Sequence, residues 1–290
     1  MRVIATLSTI PSRIGRIQPM IESLLRQSYQ IEKVEVNVPY WCVRTEQPYE
    51  VPDWLTSIIG VEVHRTEDYG AITKIAPTLI RHDKEDVYIW SVDDDFVYHP
   101  THLETIMKGV DGQNIVCLHG GIWTQHGFSG GRHFANNVDI VEGFFGIVYP
   151  PNCIHEDFLP YIEKTSANWD NRKSDDIIIS NYFALHKMPM VSIKYNSQIL
   201  QIIQNEQTYG HEHDALKHQD NGHYVRYVRV LHWLIKEGIC AWKVNIVVPT
   251  FNQAIYRPKR FPAYHEIFPT LPVVRIPRKS PYYFQIGKKV

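Results

Sequence analysis

The sequence predicts an α/β fold: a mostly parallel open sheet with helices on both faces, followed by an irregular proline-rich tail. Three observations predict it. Short β-branched and apolar runs alternate with stretches whose apolar residues recur at helical spacing, the βαβαβ rhythm of a sheet with crossover helices. Residues 87–92 are apolar nearly throughout, as a strand covered on both faces must be. From about residue 248 prolines stand at 249, 258, 262, 269, 272, 277 and 281, and each removes a backbone donor, so no regular helix continues there.

In chain order, residues 2–7 read as the first strand and run into the loop Ser8-Thr9-Ile10-Pro11-Ser12-Arg13. Ile17, Met20, Ile21, Leu24 and Leu25 then share one face of a helix. Residues 33–38 and 61–65 alternate as strands, and 72–81 read as a helix with Thr73 and Lys74 facing outward near its start. The run 87–92 is a strand, 115–118 another, and 138–149 reads as strand throughout, including Glu142-Gly143-Phe144. Residues 175–185 form a helix, 191–195 a strand, and 224–235 a helix through Val225, Val228, Leu231 and Ile235. Residues 204–222 are polar, rich in histidine and without a period, which reads as a loop.

Composition narrows the function classes. A chain of 290 residues, 44% hydrophobic and 21% charged, can bury one sizeable core, with room for an appendage. Thirty basic against thirty-one acidic side chains give a net charge of -1, so no global field draws in nucleic acid. Cys42, Cys117, Cys153 and Cys240 form neither a CxxC pair nor a dense framework and read as reduced packing residues. The apolar run at 1–7 is too short for a signal-peptide core or a membrane span. The expectation is a cytoplasmic protein with no transmembrane segment.

In open α/β sheets ligands bind outside the carboxyl ends of the strands, and the strand 87–92 delivers Asp93-Asp94-Asp95 to that edge. Carboxylates this close oppose one another's ionisation, and a divalent cation is the simplest compensation. Oxygen ligands suit Mn²⁺ or Mg²⁺. Along an extended strand end Asp93 and Asp95 project to one side and Asp94 to the other, so Asp95 is the expected metal ligand and Asp93 is expected at the ribose or the metal. A second acidic group, Ser174-Asp175-Asp176, opens the helix 175–185. Serine or aspartate there is an ordinary N-cap; the functional alternative has one aspartate capping and the other acting as general base, Asp176 ahead of Asp175. Asp68-Tyr69-Gly70-Ala71-Ile72-Thr73-Lys74 joins a turn-permitting glycine to a cation at a helix start, which offers donors and charge to a diphosphate. In the polar loop His211 and His213 are candidates for a further metal ligand or a lid, although their spacing imposes no coordination geometry.

Taken in order, Thr6-Leu7-Ser8-Thr9-Ile10-Pro11-Ser12-Arg13, the segment from Asp68 to Lys74, Val92-Asp93-Asp94-Asp95, Glu142-Gly143-Phe144 and Ser174-Asp175-Asp176 resemble the motif set of GT-A (Rossmann-like) glycosyltransferases near the family 2-like group. The resemblance covers roughly residues 2–193 and leaves the histidine loop and the tail without counterpart. It implies a hexosyl- or pentosyltransferase, metal-dependent and inverting. The donor is a nucleotide-sugar, UDP favoured and GDP possible, and the acceptor a hydroxyl on a glycan or glycosylated molecule. By position it places Thr6, Ser8 and Arg13 at the nucleotide, Asp68 at the base or ribose and Lys74 at the phosphates. Asp93 goes to the ribose or metal, Asp94 is counted with the nucleotide-side residues, and Glu142, Gly143 and Phe144 line the donor sugar or acceptor. Ser-Asp-Asp stands where many members have Glu-Asp, which leaves the base between Asp175 and Asp176.

The corresponding organisation is a catalytic domain over 1–247, nucleotide-binding to about 110 and acceptor-binding beyond, with a basic tail at 248–290. That tail is expected to wrap the domain, an anionic acceptor or membrane surface being the alternative. The rival reading is a phosphatase of the haloacid dehalogenase type using Asp93 and Asp95, although its nucleophile belongs on a first strand. A non-catalytic sugar-binding protein is the other, and a nucleotidyltransferase is disfavoured because no glycine-rich basic loop follows the first strand.

Overall fold

A computed structural model of the chain describes residues 1–124, 127–131, 137–195, 203–204 and 223–243. The tail at 248–290, and the loop carrying His211 and His213, lie outside the described residues. By contact the chain divides into one unit of Met1–Ile122 and Phe128–Trp242 and a second of Trp123–Gly127 and Lys243–Val290. The sheet and the cleft belong to the first.

Seven strands form the central sheet: β1 (Val3–Ser8), β2 (Lys33–Pro39), β3 (Val61–Thr66), β4 (Tyr88–Ser91), β5 (Ile115–Cys117), β6 (Ile147–Tyr149) and β7 (Met190–Ser192). Their order across the sheet is β7-β5-β6-β4-β1-β2-β3. Neighbours run parallel except at β6, which is antiparallel to both β4 and β5. The mostly parallel sheet expected from the sequence is therefore present. Between β1 and β4 the order switches sides, and such a point opens a crevice beyond the strands' carboxyl ends, here Ser8 and Ser91.

β1 is buried on both faces because its alternate side chains meet different helices. Val3, Ala5 and Leu7 join a core with Met20, Ile21 and Leu24 of α1 (Gln18–Leu25) and with Leu103 and Ile106 from a later helix, His102–Met107. Thr6 points the other way and hydrogen bonds Thr78 of the helix Ala76–Arg81. Among the described residues no helix is long and apolar enough to cross a membrane. Cys42, Cys117 and Cys153 are buried and unbridged, in keeping with a packing role.

Three expectations are corrected. Residues 72–81 are not one helix: a 3₁₀ turn, Gly70–Lys74, precedes α2 (Ala76–Arg81). Pro77 lacks the N–H that a helix interior needs and is tolerated only in a first turn, so the α-helix restarts there. The tighter winding turns Thr73 and Lys74 inward, and both are buried rather than outward-facing. Second, 138–149 is interrupted. Ile140–Val141 pairs with Gly120 and Gly121, a 3₁₀ turn follows over Gly143–Phe145, and Gly146, at φ 82°, redirects the chain into β6. Third, the last helix among the described residues, His223–Lys236, buries Tyr227, Val230, Leu231 and Leu234, whereas Ile235 is exposed.

A buried glutamate on β2 shows how this fold handles charge away from the cleft. Glu35, fully buried, accepts from Arg81 at 2.5 Å, lies 2.7 Å from His82 Nε2 and pairs with Lys33 at 3.0 Å. Burial alone would raise its pKa, but the hydrogen bonds from Arg81 and His82 and the Arg81 charge hold it at about 2. Glu35, Glu62 and His64 lie within 4.8 Å of one another, yet these cations already neutralise Glu35, and none of the three lines the cleft. A folded pKa below the ordinary 4.5 adds stability that is complete above that pH and is lost as pH falls toward 2. Urea titrations should find Glu35→Gln less stable at pH 7 by on the order of 2–3 kcal/mol, with a shallower acid limb between pH 4.5 and 2. Gly146→Ala should cost about 1–3 kcal/mol in the same assay, since its φ is left-handed and a Cβ there would run into the indole nitrogen of the buried Trp90.

Candidate active site

A cleft of about 480 Å³ opens at the switch point. Of the residues expected from the sequence, Ser8, Arg13, Asp68, Lys74, Asp93, Asp94, Asp95, Glu142, Phe144, Asp175 and Asp176 line it. Gly143 lies behind this wall, and its amide takes part in holding Asp176. Thr6 does not reach the cleft. It is fully buried beneath it, donating to the Lys74 carbonyl oxygen at 2.8 Å, so it supports Lys74 rather than bordering a ligand. His213 lies outside the described residues.

The three aspartates after β4 have separate environments. Asp94 accepts from Thr9 at 2.6 Å and from Arg13 at 2.9 Å, which locks it to the loop after β1. Asp93 accepts from Lys74 at 2.6 Å through Oδ1. Asp95 has Arg13 no nearer than 3.8 Å, and its Oδ1 is buried with no hydrogen-bond partner. Burial, then the negative charges of Asp93 and Asp94, push the Asp95 carboxyl up to about 7 against the pull of Arg13 and Lys74. A withdrawn carboxylate oxygen without a donor, beside a second carboxylate, suits a hard divalent cation with an oxygen-rich shell. Asp93 and Asp95 are the residues able to hold one.

The second acidic group sits at the start of the helix Asp175–Leu185. At the N-cap position the Ser174 hydroxyl is buried and makes no capping hydrogen bond, and both aspartates line the cleft. Asp175 pairs with Lys74 at 2.6 Å. Asp176 accepts from the Gly143 amide at 2.9 Å through Oδ1 and from the Tyr227 hydroxyl at 3.0 Å through Oδ2. Burial and then the adjacent charge of Asp175 raise its carboxyl well above the ordinary range, while Lys74 opposes them. For Lys74 burial favours the neutral amine, but Asp175, Asp93 and Asp176 together outweigh it and keep the ammonium charged.

The antiparallel course of β6 explains why Glu142 and Phe144 reach the same edge. Ile147 pairs with Ser91, so the chain enters β6 where β4 leaves the sheet. The turn Gly143–Phe145 thus lies beside Asp93, and the buried Tyr98 hydroxyl accepts from the Asp93 amide at 3.0 Å. Glu142 is held by His119, Nδ1 to Oε2 at 2.5 Å. Asp68 lines the cleft with its carboxylate already engaged by the amides of Gly70 and Val43 and by Arg172 at 2.9 Å.

Sequence reasoning missed Tyr49, Arg172, Trp169 and Arg226 as lining residues, and Tyr227 as the partner of Asp176. Two of these carried a signal: Arg226 and Tyr227 stand side by side in a segment already read as a helix, and a charge beside its apolar stripe marks a face turned toward something polar. Among the described residues seven carboxylates and six Lys or Arg side chains line the cleft, so their formal charges nearly balance. Lys74→Met would leave Asp93 and Asp175 without their shared cation; thermal and urea unfolding should show a loss of about 3–5 kcal/mol, part of it recovered in Lys74→Met/Asp175→Asn.

By sequence the chain matches no family model and no curated protein. By structure it is similar to the apo form of the glycosyltransferase GlyE from Streptococcus pneumoniae TIGR4, with a TM-score of 0.40 and 14% identity over 82% of this chain and 64% of that one. It is also similar to S. aureus TarS 1-349 in complex with UDP, at 0.40 and 14% over 67% of this chain and 59% of that one. A third likeness is to GalNAc-T7 with UDP, GalNAc and Mn²⁺, at 0.43 and 10% over 81% of this chain and 48% of that one. The chain spans between 48% and 64% of the length of these three.

Proposed function

We propose that the cleft transfers a glycosyl unit from a nucleoside-diphosphate sugar, a UDP-sugar in the first instance, to an acceptor hydroxyl with inversion at the anomeric carbon. The observation that carries the reading is the meeting of two acidic groups in one cleft. One follows β4 and holds a buried carboxylate oxygen without a donor, the other opens a helix, and Lys74 stands between them. This pairing divides the chemistry into a side that binds a polyphosphate and a side that accepts a proton.

A divalent cation on Asp93 and Asp95 would supply charge stabilisation for the departing diphosphate. Arg13, fixed by Asp94, and the Lys74 ammonium add positive field on the same side, already oriented before the reaction begins. Asp176 is the base. Its raised proton affinity suits it to take the acceptor's hydroxyl proton, whereas Asp175 is held against Lys74 and serves to orient that cation. As the proton passes to Asp176, the acceptor oxygen forms its bond to the anomeric carbon. The bond from that carbon to the phosphate oxygen breaks, with its electron pair leaving on the diphosphate. Attack from the face opposite the leaving group gives inversion, by analogy with glycoside hydrolysis.

Thermal unfolding with UDP, GDP, UDP-glucose, UDP-N-acetylglucosamine and GDP-mannose, each with and without Mn²⁺, tests the reading. A ligand held at about 100 times its Kd stabilises by about 2.7 kcal/mol. The expected result is a Mn²⁺-dependent rise with one nucleotide series, absent in Asp95→Ala. Asp176→Asn should keep that rise and lose about 10²- to 10⁴-fold in turnover, measured as donor consumption. No rise with any nucleotide, together with hydrolysis of simple phosphate esters, would overturn the reading in favour of a phosphatase.

A further inference from the structure

The last helix, His223–Lys236, lies beyond every motif that carries the resemblance, yet it supplies two neighbouring side chains to the site. Arg226, 1% exposed, lines the cleft, and Tyr227, fully buried, donates its hydroxyl to Asp176 Oδ2 at 3.0 Å. The Tyr227 ring meets Phe128 edge-on, with centroids 5.3 Å apart and planes at 68°, so the phenol's position is set by packing as well as by its hydrogen bond. On the other side of the carboxylate the Gly143 amide donates to Oδ1 at 2.9 Å. A Cβ at Gly143 would stand 2.9 Å from Lys74 Nζ and 3.2 Å from Asp176 Oδ1 and so would crowd both groups.

A carboxylate gripped through both oxygens, by donors on two separate elements, cannot turn about its Cβ–Cγ bond without breaking one of them. Each donor also favours the ionised carboxylate over the neutral acid, which opposes the effect of burial. Burial, and then the charge of Asp176 itself, push the Tyr227 phenol well above its ordinary range, which keeps its proton available to donate.

We infer that Tyr227 is a positioning residue for the proposed general base, fixing the plane of the Asp176 carboxylate and keeping it ready to accept a proton, and that the last helix is part of the acceptor half of the site. The inference rests on the glycosyl-transfer reading and adds to it a residue from a segment without counterpart in the resemblance. The hydroxyl contributes through one hydrogen bond to a charged group, which corresponds to about a tenfold to hundredfold effect on rate.

The test is a double-mutant cycle on wild type, Tyr227→Phe, Asp176→Asn and the double variant, followed by Mn²⁺-dependent consumption of UDP-glucose or whichever tested donor wild type consumes fastest. Tyr227→Phe keeps the ring against Phe128 and removes only the hydroxyl. The expected result is a kcat about ten- to a hundredfold lower with the donor KM and the Mn²⁺-dependent nucleotide thermal shift unchanged, and no further loss when the change is added to Asp176→Asn. Tyr227→His, which retains an N–H donor, should recover part of the loss and serves as the second variant if the phenylalanine protein does not fold. An unchanged kcat in Tyr227→Phe, or losses that simply add in the double variant, overturns the inference and leaves glycosyl transfer standing. If wild type consumes no nucleotide-sugar and shows no nucleotide shift, the reading of the cleft fails and takes this inference with it.

Discussion

The Lys74 ammonium, 2.6 Å from Asp93 and 2.6 Å from Asp175, is the interaction on which the arrangement of this cleft depends. Two acidic groups, one at the end of a strand and one at the start of a helix, would drive each other apart if they approached uncompensated. A buried cation between them converts that repulsion into an attachment. The attachment has its own supports: the Lys74 carbonyl accepts from Thr6, and Thr6 and Thr78 both receive the Asn37 side chain. Residues from β1, β2 and α2 therefore stand behind one side chain, and the 3₁₀ turn Gly70–Lys74 brings it to the place where it is needed.

A second constraint comes from sheet direction. Six of the seven strands share one orientation, and the exception, β6, lies next to β4. Parallel neighbours bring only their outgoing ends to a common edge. A reversed neighbour brings its incoming end, and so Glu142, Gly143 and Phe144 meet the aspartates that leave β4. The antiparallel strand is thus what lets a single edge draw residues from both halves of the chain without a long excursion.

Much of this was legible in the sequence, where local pattern and tertiary environment agree. The apolar run at 87–92 could only be a covered strand, and its aspartates then had to emerge at the ligand-binding edge. The helix beginning at Asp175 has the bounds that the sequence predicts, although its residues 176–183 are buried on every side and carry no one-sided stripe. Reading failed where phase changes within an element. Lys74 belongs on the outside of an α-helix begun at residue 72, and Pro77, by forcing a restart, puts it on the inside. Gly143 and Gly146 break a segment that is otherwise rich in strand formers. The role of Tyr227 depends on a contact with Asp176 across 51 positions, and no local pattern carries information of that kind.

The clamp on Asp94 couples two positions that stand far apart in the sequence. Asp94 and Arg13 form a nearly enclosed pair, and exchanging either alone would leave a withdrawn charge without its partner. The two positions, 81 apart, therefore act as one unit, and replacing both together costs less than replacing either alone. Asp93 instead meets Lys74, and Asp95 keeps one buried oxygen without a donor. Three identical letters in a row thus stand in three different environments, the first beside a lysine, the second beside an arginine and a threonine, the third with a buried oxygen to spare.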